Sequence, residues 1–154
     1  MKSPTQSAGK AKTLFCPEEA VYLELLKTAD LLSRNRSGLL KTEDLSSTQY
    51  NVLRILRGAP EGLPCGEIGN RMITRDPDIT RLLDRLEKRC LISRHRETKD
   101  RRMVMARITP DGIELLSRMD EPVRQAHRAQ LGHLGRERLK ALTGLLQFAR
   151  GEAA

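Results

Sequence analysis

Tryptophan is absent from this 154-residue chain, and Phe15, Tyr22, Tyr50 and Phe148 are its only aromatic side chains. Single-stranded nucleic acids are gripped by stacking bases on aromatic platforms, so so few rings argue against that class. Neither a signal-peptide pattern nor a run of about 18 apolar residues occurs, so a cytoplasmic protein without membrane contact is expected. Cys16, Cys65 and Cys90 are an odd number of thiols with no C-x-x-C spacing, which indicates neither a disulfide framework nor a zinc site. His95, His127 and His133 share no ligand spacing with these cysteines or with paired carboxylates. A Gly-rich phosphate loop and a nucleophile motif are also missing. No enzyme, metal or cofactor is expected.

What the chain has is positive charge. The formal net charge is +8, from 28 Lys and Arg against 20 Asp and Glu, so polyanions are favoured partners. The excess is concentrated: between Arg71 and Arg107 twelve Lys and Arg face six Asp and Glu.

That stretch also holds the clearest structural signals. Asp76 is a good N-cap, Pro77 suits a first helical position, and Asp78 puts negative charge in a first turn. Ile79, Leu82, Leu83 and Leu86 then recur at helical spacing, which leaves Pro77, Thr80, Arg81, Asp84, Arg85 and Lys88 on the opposite face. After Cys90 the period changes. Leu91 to Arg96 and Arg102 to Ile108 read as two short strands around the polar tip Glu97 to Arg101, a β-hairpin without an Asn-Gly or Asp-Gly turn. A basic helix followed by a hairpin carrying Arg94, Arg96, Lys99, Arg101, Arg102 and Arg107 is a helix-plus-wing arrangement suited to a nucleic-acid duplex.

The run T-R-L-L-D-R-L-E-K-R-C-L-I-S-R, then K-D-R-R, then I-T-P-D-G resembles the MarR family of winged helix-turn-helix transcription regulators, over roughly residues 17–150. The resemblance implies that the helix from Pro77 is the recognition helix. It also implies that Asp100 orients Arg102, the wing residue that enters the minor groove. Cys90 stands where the family usually has Gly, which points to a left-handed backbone there or to a slightly altered turn.

The remaining elements follow in order. Residues 1–15 have almost no large apolar side chain and are expected to form a disordered tail. Val21, Tyr22, Leu25, Leu26, Ala29 and Leu32 predict a helix over 17–37, fading at Ser37-Gly38. Ser46 with Gln49 forms a capping box for the next helix, which Gly58 to Gly62 ends. A short helix over Pro64 to Met72 and a turn at Ile73-Thr74-Arg75 complete the helix-turn-helix. Thr109 and Pro110 start a long helix in which Pro122 predicts a kink or brief break near Met119 to Glu121. A turn at Gly132 to Gly135 and a last helix from Arg136 to about Arg150 follow. The fold class expected is mainly α with a small β-hairpin wing. One domain spans 16–151, its winged helix-turn-helix lobe 46–108 and its dimerisation helices 17–37 and 110–150. These terminal helices carry more apolar surface than one lobe can cover, so a homodimer is expected.

Thr80 and Arg81 are the best candidate base readers, since Arg suits guanine and Thr a thymine methyl or polar edge. Asp78 either caps the helix or accepts from cytosine, and Arg75, Pro77 and Arg85 complete the helix-side DNA contacts. Arg94, Arg96, Lys99 and Arg101 are assigned to phosphates, which position without specifying, and Arg102 to a narrow minor groove. Cys16, near the start of the first helix, is the candidate redox sensor, because some MarR-family members sense oxidants there. Glu18 and Glu19 oppose a stabilised thiolate, although a helix N-terminus favours one. The resemblance implies a dimeric repressor on a palindromic operator, released by a small-molecule effector such as a small aromatic or phenolic compound. The alternatives are a redox-responsive regulator, a non-specific architectural DNA binder, which would lack sequence preference, and a winged-helix module for an acidic protein, which would not retain DNA.

Overall fold

The computed structural model describes residues 16–74, 76–97 and 103–152. Arg75 and residues 98–102 of the expected wing, with Lys99, Asp100, Arg101 and Arg102, lie outside the described residues, as does the expected tail 1–15. Six α-helices are described: α1 (Pro17–Lys41), α2 (Ser47–Arg57), α3 (Cys65–Arg71), α4 (Ile79–Lys88), α5 (Pro110–Leu131) and α6 (Gly135–Ala149), the last two joined by a 3-10 turn at Gly132–Leu134. Three short strands accompany them: β1 (Leu63–Pro64), β2 (Ile92–Arg96) and β3 (Val104–Ile108). The chain separates into two compact units, one ending at Ser33 and one beginning at Arg34. In the first, α1 leaves Val21, Tyr22 and Leu26 exposed. The second holds the winged helix-turn-helix.

Its core is assembled from helical stripes. Val52, Leu53 and Leu56 of α2, Leu83 and Leu86 of α4, and Leu116 of α5 are fully buried together. Each such side chain contributes about 1.5–3 kcal/mol relative to exposure, and the fully buried Ile68 ties α3 to the same core despite Gly66 and Gly69. Ser46 caps α2 as expected: its hydroxyl accepts from the Gln49 N–H at 3.1 Å, and the Gln49 side chain accepts from the Ser46 N–H at 2.9 Å.

Four boundaries differ from the sequence expectation, each for a local reason. α1 does not fade at Gly38 but continues to Lys41, which buries Leu40 completely. It closes where the Leu45 N–H donates to the Leu40 carbonyl at 3.0 Å around Asp44, whose φ is +51°. α4 starts at Ile79, capped by Asp78 rather than Asp76. The Asp76 carboxylate instead accepts from the Asp78 N–H at 2.9 Å, a side-chain turn that keeps Pro77 outside the helix. The wing is more than a hairpin: Leu63 and Pro64 pair with Ala106 and Met105, giving a three-stranded antiparallel sheet in the order β1-β3-β2. A two-residue strand containing proline has no periodicity to read, and proline is accommodated because β1 is an edge. Finally, α5 runs past Pro122 without a break. Pro122 and Arg118, whose carbonyl lacks its helical donor, are both exposed, so water can replace that bond.

Candidate nucleic-acid interface

The proposed reading helix is anchored at both ends. Before it, the Asn51 side chain on α2 accepts from the Ile73 N–H at 2.9 Å and pins the turn between α3 and α4. At its start, the Asp78 carboxylate accepts from the Arg81 N–H at 3.0 Å and lies 3.4 Å from the Arg81 Nε. At its end, Cys90 has φ +57°, the left-handed conformation expected where the family has Gly. The Cys90 N–H donates to Glu87 O at 2.8 Å and the Leu91 N–H to Leu86 O at 3.0 Å, so the last helical carbonyls are satisfied. Leu86 and Leu91, both buried, close the apolar contact that accompanies this turn.

Between these anchors the helix is two-sided. Leu82, Leu83 and Leu86 are buried, while Pro77, Asp78, Thr80, Arg81, Arg85 and Lys88 are exposed. The acids on α4 are not left facing outward unopposed. Arg94 on β2 donates from Nη2 to both Asp84 and Glu87, from Nε to Glu87 at 3.0 Å, and from its backbone N–H to Glu87 at 3.0 Å. The Arg94 guanidinium beside Glu87 holds that carboxyl below the usual carboxylate range, and the Arg94 side chain is only 21% exposed. Arg94 therefore joins the first wing strand to α4, a setting different from the solvent-facing phosphate contact the sequence suggests. Arg96 and Arg107 are exposed on the sheet, and the Arg107 Nε donates to the Glu61 carbonyl at 2.7 Å.

Two contacts escape sequence reasoning altogether. Arg89, the residue after α4, donates to the carbonyls of Glu43, at 2.9 Å, and Asp44, which belong to the turn closing α1. Thr109 caps α5 through the Gly112 N–H at 3.2 Å and also donates its hydroxyl to Cys90 O at 2.6 Å. Both span long sequence separations, and only a run of adjacent caps hints at them.

The cysteines are dispersed. Burial pushes the half-buried Cys65 thiol up, against the opposing pull of Arg94. Cys16 is exposed, and its side chain bonds the Glu18 carboxylate, which is held below its usual range first by its own backbone N–H and then by Cys16. A negative neighbour is the reverse of the electropositive setting of reactive thiols. Among the described residues, no group of three His, Cys, Asp or Glu is placed to hold a metal ion, and no helix is long and apolar enough to cross a membrane.

Known proteins share this arrangement. Residues 45–104, from the end of the α1 turn to β3, match the model of the MarR family. The chain is similar to a MarR transcription factor from Planctomyces limnophilus, with 39% identity, a TM-score of 0.68, and coverage of 87% of this chain and 97% of that one. The chain belongs to the MarR family. It is a DNA-binding transcription regulator by that membership. The chain is also 27% identical to the HTH-type transcriptional regulator FarR of Neisseria gonorrhoeae, covering 82% of this chain and 86% of that protein. It also shares its fold with Bordetella bronchiseptica BpsR, whose DNA binding is regulated by 6-hydroxynicotinic acid, at a TM-score of 0.79 and 21% identity, over 91% of this chain and 99% of that one.

Proposed function

We propose that this MarR-family regulator is a homodimeric repressor that reads a palindromic operator and leaves it when a small aromatic acid binds. The observation that carries the reading is the exposed face of α4, where Thr80, Arg81, Arg85 and Lys88 face solvent, Arg81 beside the Asp78 carboxylate, while Asp84 and Glu87 are held by Arg94. Thr80 and Arg81, with Pro77 and Asp78 at the helix start, address base edges; Arg75, Arg85, Lys99 and Arg101 address phosphates. Arg102, oriented by Asp100, enters the minor groove. Arg94 acts here as a positioning residue. The lobe is 46–108, and α1 with α5 and α6 supplies the dimer contact. Support for that contact is apolar side chains left uncovered within one chain, Val21, Tyr22 and Leu26 on α1 and Leu145 and Phe148 on α6. Such a protein operates in the cytoplasm, beside its DNA.

The effector would enter the crevice between α2 and α5, a cavity of about 330 Å³ lined by Tyr50, Arg54, Arg57, Asp120 and His127 among others. Arg57 and Asp120 close its floor with two parallel bonds of 2.9 Å, which leaves Arg54 and His127 for a carboxylate and Tyr50 for a ring. BpsR supports the ligand class, since an aromatic acid regulates its DNA binding.

Selection of genomic fragments by the whole chain at near-physiological salt tests the core of this reading. An enriched palindrome with half-sites about 10 base pairs apart supports it, and retention without a motif favours the architectural alternative. Light scattering at the mass of one chain would remove the dimer. 6-Hydroxynicotinic acid is the first effector probe, and release of the selected duplex by it, lost in Arg54→Ala, supports the crevice.

A further inference from the structure

A second, larger groove lies at the start of α2. Its volume is about 550 Å³, and it is formed where the end of α1, the start of α2 and the second half of α4 converge. Four cations from two of those elements line it: Lys41 from α1, and Arg85, Lys88 and Arg89 at and just beyond the end of α4. Asp44 is its one acid, so the lining carries a net charge of about +3 at neutral pH.

The polar groups around this groove divide into satisfied and unsatisfied sets. Ser46 and Gln49 are consumed by their mutual capping bonds, so the start of α2 offers little. Two Arg89 nitrogens bond the Glu43 and Asp44 carbonyls. Lys41, Arg85 and Lys88 have no ion-pair partner among the described residues. Several arginines elsewhere are paired, as Arg57 is with Asp120, Arg71 with Glu67 and Arg118 with Glu114. Unpaired cations around a groove repel one another, and an anion there would relieve that repulsion.

The groove is also continuous with the reading face. Arg81, Arg85 and Lys88 stand at i, i+4 and i+7 on α4, one row about 10 Å long, and the last two line the groove. A strand whose bases meet Arg81 has its backbone beside that row. We propose that this groove seats the sugar–phosphate backbone of the bound duplex, with Lys88 at the end of the reading helix and Lys41 beyond it as phosphate contacts. The proposal rests on the DNA-binding reading and extends the footprint to the α1–α2 junction.

Affinity of the whole chain for a duplex it has itself selected, about 30 base pairs long to hold two half-sites, is measured against salt concentration. Lys41→Gln and Lys88→Gln are each expected to lower the slope of log affinity on log salt by about one, and the double variant by about two. Sequence preference stays as it was, and Lys41→Arg and Lys88→Arg keep the wild-type slope. Slopes unchanged in the Gln variants, or an altered base preference, would overturn the groove assignment while leaving the DNA-binding reading intact. If the wild type retains no duplex, both fall together. If the slopes hold but inorganic phosphate raises the melting temperature of the wild type and not of the variants, the groove serves a free phosphate instead, and the assignment to DNA is wrong.

Discussion

Arg94 holds Glu87 through three hydrogen bonds, from its Nε at 3.0 Å, its Nη2 at 2.6 Å and its own backbone N–H at 3.0 Å. One carboxylate on α4 thus sets both the place of the β2 backbone and the direction of the arginine it carries. A fork of this kind is beyond the reach of lysine, whose ammonium is a single point of charge.

Arg94→Ala should leave the helical content intact while destabilising the fold by about 1–3 kcal/mol, since Glu87 and Asp84 then face each other without a cation. Arg94→Lys should recover little of that loss. Specific DNA binding should weaken with the salt slope unaltered, which separates a positioning residue from a phosphate contact. A slope reduced by about one would return Arg94 to the phosphates. Chemical denaturation alongside binding titrations supplies both numbers.

Acid should destabilise this protein through two ion pairs. Arg94 holds Glu87, and Arg57 holds Asp120, below the usual carboxylate range. A depressed folded pKa means that the stabilisation is complete above the unfolded values of about 4 and is lost as pH falls through the folded ones. Melting temperatures should therefore drop from about pH 5 downward, and Glu87→Gln and Asp120→Asn should each flatten that limb. Both carboxylates are more than a third exposed, so the slope is modest and salt weakens it. An identical acid limb in both variants would contradict this.

Cys90→Gly should stabilise the fold. A residue with a Cβ at φ +57° bears a steric cost of about 1–2 kcal/mol, offset in part by the greater unfolded freedom of glycine. A net gain of about 0.5–1 kcal/mol is expected, with Cys90→Ala gaining nothing. Equal stability of the Gly and Ala variants in urea would show that the strain is absent.

Gly112→Ala should do the opposite. A Cβ at Gly112 would stand 2.3 Å from the Leu91 carbonyl oxygen and 2.8 Å from an Ile108 side-chain carbon, both in the wing's root. Relief requires moving α5 away from the end of α4, at a cost of about 1–3 kcal/mol or more. A variant as stable as the wild type would mean that the junction yields easily.

Much of this was legible in the chain because it is local. The Ser46–Gln49 box, the Thr109–Pro110 start, and the stripe of Leu82, Leu83 and Leu86 are all written within a few residues. They follow from rules about single turns of backbone. The choice between Asp76 and Asp78 as cap was less legible. Either carboxylate can accept from a backbone N–H, and only the path into the helix selects which one does.

The helical periodicity, the change of period at the wing and the concentration of cations were determined by sequence alone, because each depends on the spacing of side chains along one element. Tertiary structure decided what those side chains then meet. Arg94 reads in sequence as one more basic residue of a basic hairpin, yet it is folded back on Asp84 and Glu87 because β2 lies along α4. Lys41, more than forty residues from Lys88, shares a groove with it only because α1, α2 and α4 converge. Charge is a property of the residue, whereas its partner is a property of the packing.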